Sequence, residues 1–424
     1  MLKKISIEQI RQGMYIKEVC APWLNHPFWR SSFLLKSPKD ISRLTDEKTI
    51  KEVWIDTAKG LDVAREAELD AVEAAVEQVR IETAVRSQPP KQVSFAEEVE
   101  QAAKTCAMAT KAVKSMFEEV RMGNAVSAEA ANELVEEISS SVYRNPGALI
   151  SLARLKTADD YTYMHSVAVC ALMVSVARQL KLNDEEVRHA GLAGLLHDVG
   201  KALMPMDILN KPGKLTDEEF TIVKGHPVEG HRVLVEGKAV GDIPLDVCLH
   251  HHEKIDGSGY PDRLKDAEIT LFAKMGAVCD VYDAITSNRP YKQGWDPADS
   301  IQKMTDWSGH FDQKIFRTFI KCIGIYPTGS LVRLSSSRLG VVLEQSTKSL
   351  LSPHVKVFFS IKSRSHIQPS VIDLSNHKCE DRILSKEDPA TWGIENLNEI
   401  WSGLLDFPHS LALAPGAVSG VPAP

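Results

Sequence analysis

Apolar residues recur with helical spacing through most of the chain between residues 95 and 325. The pattern is densest where Val167, Cys170, Ala171, Val174 and Ala177 follow one another at intervals of three and four residues. It predicts helices near residues 95–121, 127–143, 146–156 and 160–180. A further helix begins at the capping-box pair Asn183 and Glu186, continues through His197-Asp198, and ends at Gly200.

The two ends of the chain have a different pattern. Residues 1–60 include a short strand at residues 53–56 and predict a small α+β module whose Trp23 and Trp29 belong to its core. Residues 61–94 predict an acidic helix and a linker broken by Pro89-Pro90. Strand-like alternation over 330–344 and 355–361 predicts a β-rich extension over 326–410, followed by a disordered tail over 411–424. The fold class is therefore mainly α, with a helical domain over residues 95–325.

Composition narrows the class of protein. The 424 residues are 43% hydrophobic and 25% charged, which is typical of a globular chain. The net charge of -7 argues against binding to long nucleic acids. The seven cysteines form no C-x-x-C pair, so neither a disulfide framework nor a zinc knuckle is expected. The chain shows no signal peptide and no apolar run long enough to cross a bilayer, which predicts a cytoplasmic protein.

Histidines are concentrated in one part of the helical domain. Eight of the fourteen lie between residues 165 and 252, where an even spread would place about three. Neutral imidazoles and carboxylates that helices bring together are the ligands of divalent first-row metals. The excess therefore indicates a metal site.

Each candidate ligand also has an ordinary explanation. His197-Asp198 alone would most simply be a helix end, and Asp280 a buried, hydrogen-bonded carboxylate. The ordered set overturns these explanations, because His165, His226, His251-His252 and Asp280 accompany His197-Asp198 along the chain. A set of imidazoles and carboxylates without a thiolate suits iron or manganese better than structural zinc.

Longer motifs around these residues resemble a known family. His197-Asp198-Val199-Gly200-Lys201, His251-His252-Glu253, Asp256 to Pro261 (DGSGYP), Asp280 to Ala284 (DVYDA) and Arg289-Pro290-Tyr291-Lys292 occur in order. Over about residues 150 to 325 the chain is similar to the HD-GYP family of metal-dependent phosphodiesterases. The resemblance implies an HD-superfamily helical bundle that hydrolyses cyclic di-GMP to pGpG, and it leaves open the second step to GMP and the related substrate 3′,3′-cyclic GMP-AMP. Residues 1–60 resemble a module of unclear function that is often fused to this domain.

The resemblance also implies roles for individual residues. Two divalent metal ions, iron or manganese, are implied, with Asp198 as the bridging ligand and a metal-bridging hydroxide as the nucleophile. Lys201 is implied to be catalytic and to contact phosphate together with Arg289 and Lys292. Tyr161 stands where family members with three metals carry a glutamate, so a third metal is not expected. The implied metal ligands are His165, His197 and Asp280 for one ion, His226, His251 and His252 for the other, and Asp198 for both.

Several alternatives stay open at this stage. The Gly-Tyr-Pro loop either shapes the pocket or contacts a partner such as a diguanylate-cyclase-type domain. The chain is either an enzyme acting on a cyclic dinucleotide, another HD-superfamily nucleotide phosphohydrolase, or a catalytically silent cyclic-dinucleotide receptor. A homo-oligomer is also compatible with the sequence, and the motifs favour the enzyme because none of the seven ligands is missing.

Overall fold

A computed structural model describes most of the chain. The described residues are 2–20, 32–45, 50–61, 91–156, 161–211, 213–238, 240–287, 294–346 and 348–404. The predictions for Trp23, Trp29, the acidic helix over residues 61–85 and the tail over 411–424 lie outside these ranges, apart from Leu61. None of the described helices is both long enough and apolar enough to cross a membrane.

The N-terminal region forms a small antiparallel sheet. Its strands are β1 (Leu2–Ser6), β2 (Tyr15–Val19), β3 (Phe33–Leu34) and β4 (Glu52–Asp56), in the order β1-β4-β2-β3, with helix α1 (Pro38–Thr45) beside them. Alternate residues such as Val53 and Ile55 are fully buried, as expected for strands with one face on a core. The predicted strand at residues 53–56 is confirmed, and the amide of Gly60 donates to the carbonyl of Asp56 in the turn after it.

The middle of the chain is helical and holds the main hydrophobic core. Its helices are α2 (Phe95–Arg121), α3 (Ala128–Arg144), α4 (Pro146–Ala153), α5 (Tyr161–Gln179), α6 (Asp184–Leu196), α7 (Met206–Leu209), α8 (Asp217–Val223), α9 (His226–Gly237), α10 (Asp242–His250), α11 (Leu271–Thr286), α12 (Pro297–Asp306) and α13 (Gln313–Ile323). Helix α5 lies at the centre, and every residue from Met164 to Ala177 is buried. A helix with no polar face must be surrounded by other elements, which explains its continuous apolar sequence.

Helix α6 begins as predicted but ends differently. The Asn183 side chain accepts from the amide of Glu186, and the Glu186 carboxylate accepts from the amide of Asn183, which confirms the capping box. The helix ends at Leu196, so His197-Asp198 lies in the turn before a 3-10 helix (Val199–Leu203). Helix α4 likewise stops at Ala153, before the predicted residue 156.

Gly200 does not end a helix. It lies inside the 3-10 helix, where a Cβ atom would come within 1.9 Å of the carbonyl oxygen of His226 and 2.5 Å of the amide nitrogen of Gly230. The prediction of a helix terminus there was wrong. The glycine is needed because the turn that carries Asp198 touches the backbone of helix α9 directly.

A second antiparallel sheet follows the helices. Its strands are β5 (Leu331–Leu334), β6 (Arg338–Glu344), β7 (His354–Ser360), β8 (Ser365–Asp373) and β9 (Ile383–Lys386), in the order β8-β7-β6-β5-β9. Residues such as Leu331 and Val341 join the helical core, whereas Val332 and Val342 belong to a separate apolar cluster. The β-rich extension is therefore present, and a final helix α14 (Leu397–Ser402) packs Trp401 edge-on against Phe95 at 5.8 Å.

Candidate metal centre

The structure brings the seven predicted metal ligands together around one buried point. They come from the first turns of α5, the turn after α6, the start of α9, the end of α10 and the middle of α11. Ligand atoms of His165, His197 and Asp280 lie within 4.8 Å of one another, and so do those of His226, His251 and His252. These are the two sets that the resemblance assigned to separate ions. The binding of metal by these residues stays a prediction.

The imidazoles are oriented by hydrogen bonds on their outer nitrogens. Nδ1 of His197 lies 2.7 Å from the carbonyl of Gly194, and Nδ1 of His226 lies 2.7 Å from the carbonyl of Val223. Nδ1 of His251 faces two carbonyl oxygens of its own helix end at 3.1 Å. Because a carbonyl can only accept, Nδ1 carries the proton and Nε2 keeps its lone pair. Hydrogen bonds of this kind fix histidine ligands at metal sites.

Lone pairs consequently point at one another across the centre. The lone pair on Nε2 of His197 faces Nε2 of His165 at 3.2 Å, and that His165 atom also lies 2.9 Å from Oδ1 of Asp280. Nε2 of His226 lies 3.3 Å from Nε2 of His251, and both of these nitrogens are unprotonated. Two unprotonated nitrogens at this distance repel each other unless a proton or a cation lies between them. The donor chemistry therefore fits divalent cations, and it fits metals that accept imidazole and carboxylate ligands.

Asp198 lies between the two sets of ligands. Its Oδ2 atom is 3.4 Å from Nε2 of both His165 and His197, and its Oδ1 atom is 3.1 Å from Nε2 of His226. Oδ1 is fully buried and has no hydrogen-bond partner among the described residues. A buried carboxylate oxygen without a donor is costly. Each oxygen of Asp198 thus faces one set, which is the arrangement of a ligand shared by two cations.

Burial and charge fix the protonation of the cluster. Burial lowers the pKa of His252 to about 3 and the pKa of His251 well below its ordinary value, so both rings are neutral. Burial alone would raise the pKa of Asp198, but Lys201 and His197 hold it well below its usual range. Burial lowers the pKa of His165, and hydrogen bonds with Asp280 and Asp283 outweigh it and raise that pKa. The centre therefore presents carboxylates and lone pairs that attract positive charge.

The first set, His165, His197 and Asp280, is braced by charged side chains. Nδ1 of His165 lies 2.6 Å from Oδ2 of Asp283. The ammonium group of Lys156 forms a buried ion pair with the same carboxylate oxygen. Tyr161 stacks on His165 with ring centroids 6.0 Å apart and almost parallel planes. Where three-metal relatives carry glutamate, this chain has an aromatic ring that packs against a ligand.

The second set, His226, His251 and His252, is covered by the Gly-Tyr-Pro loop. The Tyr260 ring stacks on His252 at 4.7 Å between centroids. The buried carboxylate of Glu253 accepts from the amides of Asp262, Arg263 and Leu264, at 2.7, 2.9 and 3.1 Å, and so holds the loop in place. The loop therefore forms part of the wall of the site.

The predicted phosphate-binding residues have different outcomes. The Lys201 ammonium lies 2.5 Å from Oδ2 of Asp198, and its side chain is 22% exposed, so it borders the centre and reaches solvent. Arg289 and Lys292 lie outside the described residues. Their predicted role is therefore untested, and that of Lys201 remains a prediction with a favourable position.

Comparison with known proteins identifies the family. The residues 138–315 match the family model described as an HD domain, and residues 2–131 match one described as a domain of unknown function, DUF3391. A cyclic di-GMP phosphodiesterase of Pseudomonas aeruginosa is 55% identical over 405 residues, covering 95% of this chain and 96% of that protein. The chain belongs to the HD-GYP family of metal-dependent phosphodiesterases.

Other relatives match a smaller part of this chain. A cyclic di-GMP phosphodiesterase response regulator of Xanthomonas campestris is 42% identical over 153 residues, which cover 34% of this chain and 40% of that protein. A 3′3′-cGAMP-specific phosphodiesterase of Vibrio cholerae is 33% identical over 194 residues, or 44% of this chain and 42% of that protein. The expectations of an enzyme and of a mainly helical HD-type fold are thus confirmed.

Sequence reasoning missed two residues that support this HD-GYP site. Lys156 lies nine positions before His165, outside any motif, and only the fold brings it to Asp283. Glu253 follows the histidine pair, and its position shortly before the loop could have suggested a structural role. His250 pairs with Asp246 and Asp262 at 2.7 and 3.1 Å and does not join the ligand sets.

Proposed function

We propose that the chain hydrolyses cyclic di-GMP to the linear dinucleotide pGpG with two divalent cations of iron or manganese, and the second step to GMP is left to product analysis. The observation that carries the proposal is Asp198, whose two oxygens face two separate sets of buried ligands. The name of the Pseudomonas relative, which matches almost the full length, supports the choice of substrate.

The proposed roles divide between the two sets of ligands. When bound, the cations supply a water of lowered pKa and neutralise phosphate charge, as in other two-metal phosphodiesterases. His165, His197 and Asp280 would hold one cation, His226, His251 and His252 the other, and Asp198 both. The neutral His251 and His252 fit this role because a protonated imidazole cannot be a ligand.

Lys201 is proposed to contact the substrate phosphate. Its ammonium is fixed beside Asp198 but keeps an exposed side, so a phosphate approaching the centre would meet a charge already oriented toward it. Arg289 and Lys292 are proposed to add contacts to the phosphates. Tyr260, stacked on His252, offers a ring edge and face beside the same entrance.

Product analysis tests the proposal. The purified full chain, loaded anaerobically with iron or with manganese, should convert cyclic di-GMP to pGpG, and mass spectrometry of the products decides whether GMP is formed as well. Metal analysis should find about two ions per chain. Cyclic GMP-AMP assayed in parallel measures the preference between guanine and adenine. Metal-loaded protein that leaves cyclic di-GMP intact would contradict the proposal.

A matched pair of variants separates the enzyme from the silent receptor. Asp198→Ala should abolish hydrolysis, and Arg232→Ala, a surface residue paired with Glu229 and Glu236 on helix α9, should leave it unchanged. If cellular output survived Asp198→Ala at full strength, the receptor would be favoured. Contact with a diguanylate-cyclase-type domain through the Gly-Tyr-Pro loop, and a homo-oligomer, stay as proposals for pull-down and light-scattering experiments.

A further inference from the structure

A cavity of about 830 Å³ lies between the helical body and the C-terminal sheet. Its walls include the end of α3, the start of α4, the end of α5, part of α13 and the segment after β6. None of the seven metal ligands is among the residues that line it. Its volume lies within the range of small-molecule sites, about 300–1,000 Å³. It is therefore separate from the metal centre and large enough for a nucleotide.

The lining of this cavity is strongly cationic. Glu98 binds Arg144 through two hydrogen bonds of 2.6 and 2.8 Å, and that cation is neutralised. Within the described residues, no ion pair shorter than 4.0 Å joins Arg178, Lys321 or Lys348 to a carboxylate. The cationic side chains in the wall are Arg144, Arg154, Arg178, Lys321 and Lys348, against the two carboxylates of Asp184 and Glu344. A local excess of positive charge in a chain of net charge -7 points to an anionic ligand.

Arg178 is held in place by an aromatic ring, and one of its nitrogen atoms has no hydrogen-bond acceptor among the described residues. Its guanidinium carbon lies 4.2 Å from the centroid of the Tyr143 ring, so stacking fixes its position. Its Nε atom is buried without a hydrogen-bond acceptor among the described residues. Burial lowers the pKa of Arg178 more than Tyr143 and Asp184 raise it.

Two carboxylates lie in the wall with these cations: Asp184 raises the pKa of Arg178, and Glu344 has other partners. Glu344 accepts from Nδ2 of Asn145 at 2.6 Å and lies 3.6 Å from His354, so it is engaged elsewhere. Lys321 and Lys348 are exposed and come from different elements, α13 and the segment after β6. Three cations from three elements line one concavity, and clusters of cationic side chains are typical of sites that bind phosphate groups.

We propose that this cavity binds a phosphate-bearing nucleotide, separately from the substrate at the metal centre. Arg178, Lys321 and Lys348 contact the phosphate. The remaining volume, far larger than a phosphate, accommodates the sugar and base beside Tyr143 and the polar side chains of Gln179 and Ser346.

The cavity shares a helix and a connecting segment with the metal centre. Tyr282 lines the cavity, and its neighbour Asp283 holds His165. Arg154 also lines it, and Lys156, two residues later, is paired with Asp283. Given the proposed function, a bound nucleotide changes the rate of hydrolysis, because a displacement of Tyr282 reaches His165 through Asp283, and a displacement of Arg154 reaches it through Lys156 and Asp283.

Calorimetry with GMP as the probe tests the binding site on the full, manganese-loaded chain. Lys321→Glu and Arg178→Ala should each weaken the cavity binding at least about tenfold, or roughly 1.4 kcal/mol. Arg232→Ala, exposed on α9 and absent from the lining, should not change it. Because Lys321 is exposed, its replacement leaves the fold intact even if Arg178→Ala does not fold.

Two further measurements distinguish the cavity from the metal centre. Asp198→Ala should retain GMP binding in the cavity, and GMP should alter cyclic di-GMP hydrolysis in the wild type but not in Lys321→Glu. Absence of GMP binding, or binding lost in Asp198→Ala and kept in Lys321→Glu, would overturn the inference. A chain that binds GMP in the cavity yet fails to hydrolyse cyclic di-GMP would refute only the proposed function.

Discussion

The two sets of ligands at the metal centre are built from similar imidazoles but differ in the support of one member. His197 of the first set is held by a backbone carbonyl, as His226 and His251 of the second set are. His165 is fixed by the carboxylate of Asp283, which is itself paired with Lys156, and this set is almost fully buried. His226 and His251 are fixed by backbone carbonyls, and His252 keeps 21% of its side chain exposed beneath Tyr260. The comparison indicates a rigid, charge-braced side and a more open side from which a ligand enters.

Loss of the residue shared by both sides should have the largest effect. Asp198→Ala should lower kcat/KM at least about 10³-fold, because it removes a buried carboxylate whose two oxygens face the two sets. Metal content by mass spectrometry should fall on both sides together. Retention of two tightly bound ions in this variant would show that Asp198 is not the shared ligand.

Substitutions on the charge-braced side should have larger effects than substitutions on the open side. Lys156→Met removes a buried cation and leaves Asp283 uncompensated, which should reduce the free energy of unfolding by about 3–5 kcal/mol. Metal affinity or activity should fall about 10–100-fold, because a support of a ligand is lost. Thermal unfolding and metal titration measure the two effects.

The paired variant Lys156→Met/Asp283→Asn provides the control. Asparagine removes the unpaired negative charge, so the double variant should recover part of the stability that Lys156→Met loses. If both proteins were equally unstable, the cost would come from packing and not from charge.

Loss of the carboxylate that holds the Gly-Tyr-Pro loop on the open side should have the next largest effect. Glu253→Gln replaces a carboxylate that accepts three backbone amides, and each lost charge-assisted bond costs about 1–3 kcal/mol. We expect a rise in KM larger than the fall in kcat, measured by steady-state hydrolysis of cyclic di-GMP. An unchanged KM would separate the loop from the substrate.

The stacking on His252 should have the smallest effect. Tyr260→Ala removes a ring contact worth about 0.5–1.5 kcal/mol, which corresponds to a change of up to roughly tenfold in KM. Tyr260→Phe keeps the ring and should behave like the wild type. A strong defect in Tyr260→Phe would instead assign the phenol oxygen a role in binding.

The sequence was sufficient for features that depend on local spacing or on motif order. The capping box at Asn183, the strand at residues 53–56 and the grouping of the histidines could be predicted because their signals lie in the residues themselves. Lys156 could not, because a lone lysine in a short connection has no periodicity or motif, and its partner is 127 positions away. Contacts at such separations depend on how the helices pack.

The prediction of a helix terminus at Gly200 was wrong for a related reason. A glycine after a helix usually indicates a left-handed terminus, and nothing in the local sequence distinguishes that use from close backbone contact. Only the approach of helix α9 to the turn after α6 reveals the second use. Sequence rules for glycine are therefore least informative where two distant segments touch.

The contact between Gly200 and Gly230 also sets the distance between the two halves of the metal centre. Neither glycine has a side chain. The backbone of the turn that bears Asp198 therefore contacts the backbone of the helix that begins at His226 directly. The spacing between the two halves of the centre is thus determined by main chain and not by compressible side chains. A single methyl group there, far smaller than any ligand, would act as a spacer and move the halves apart.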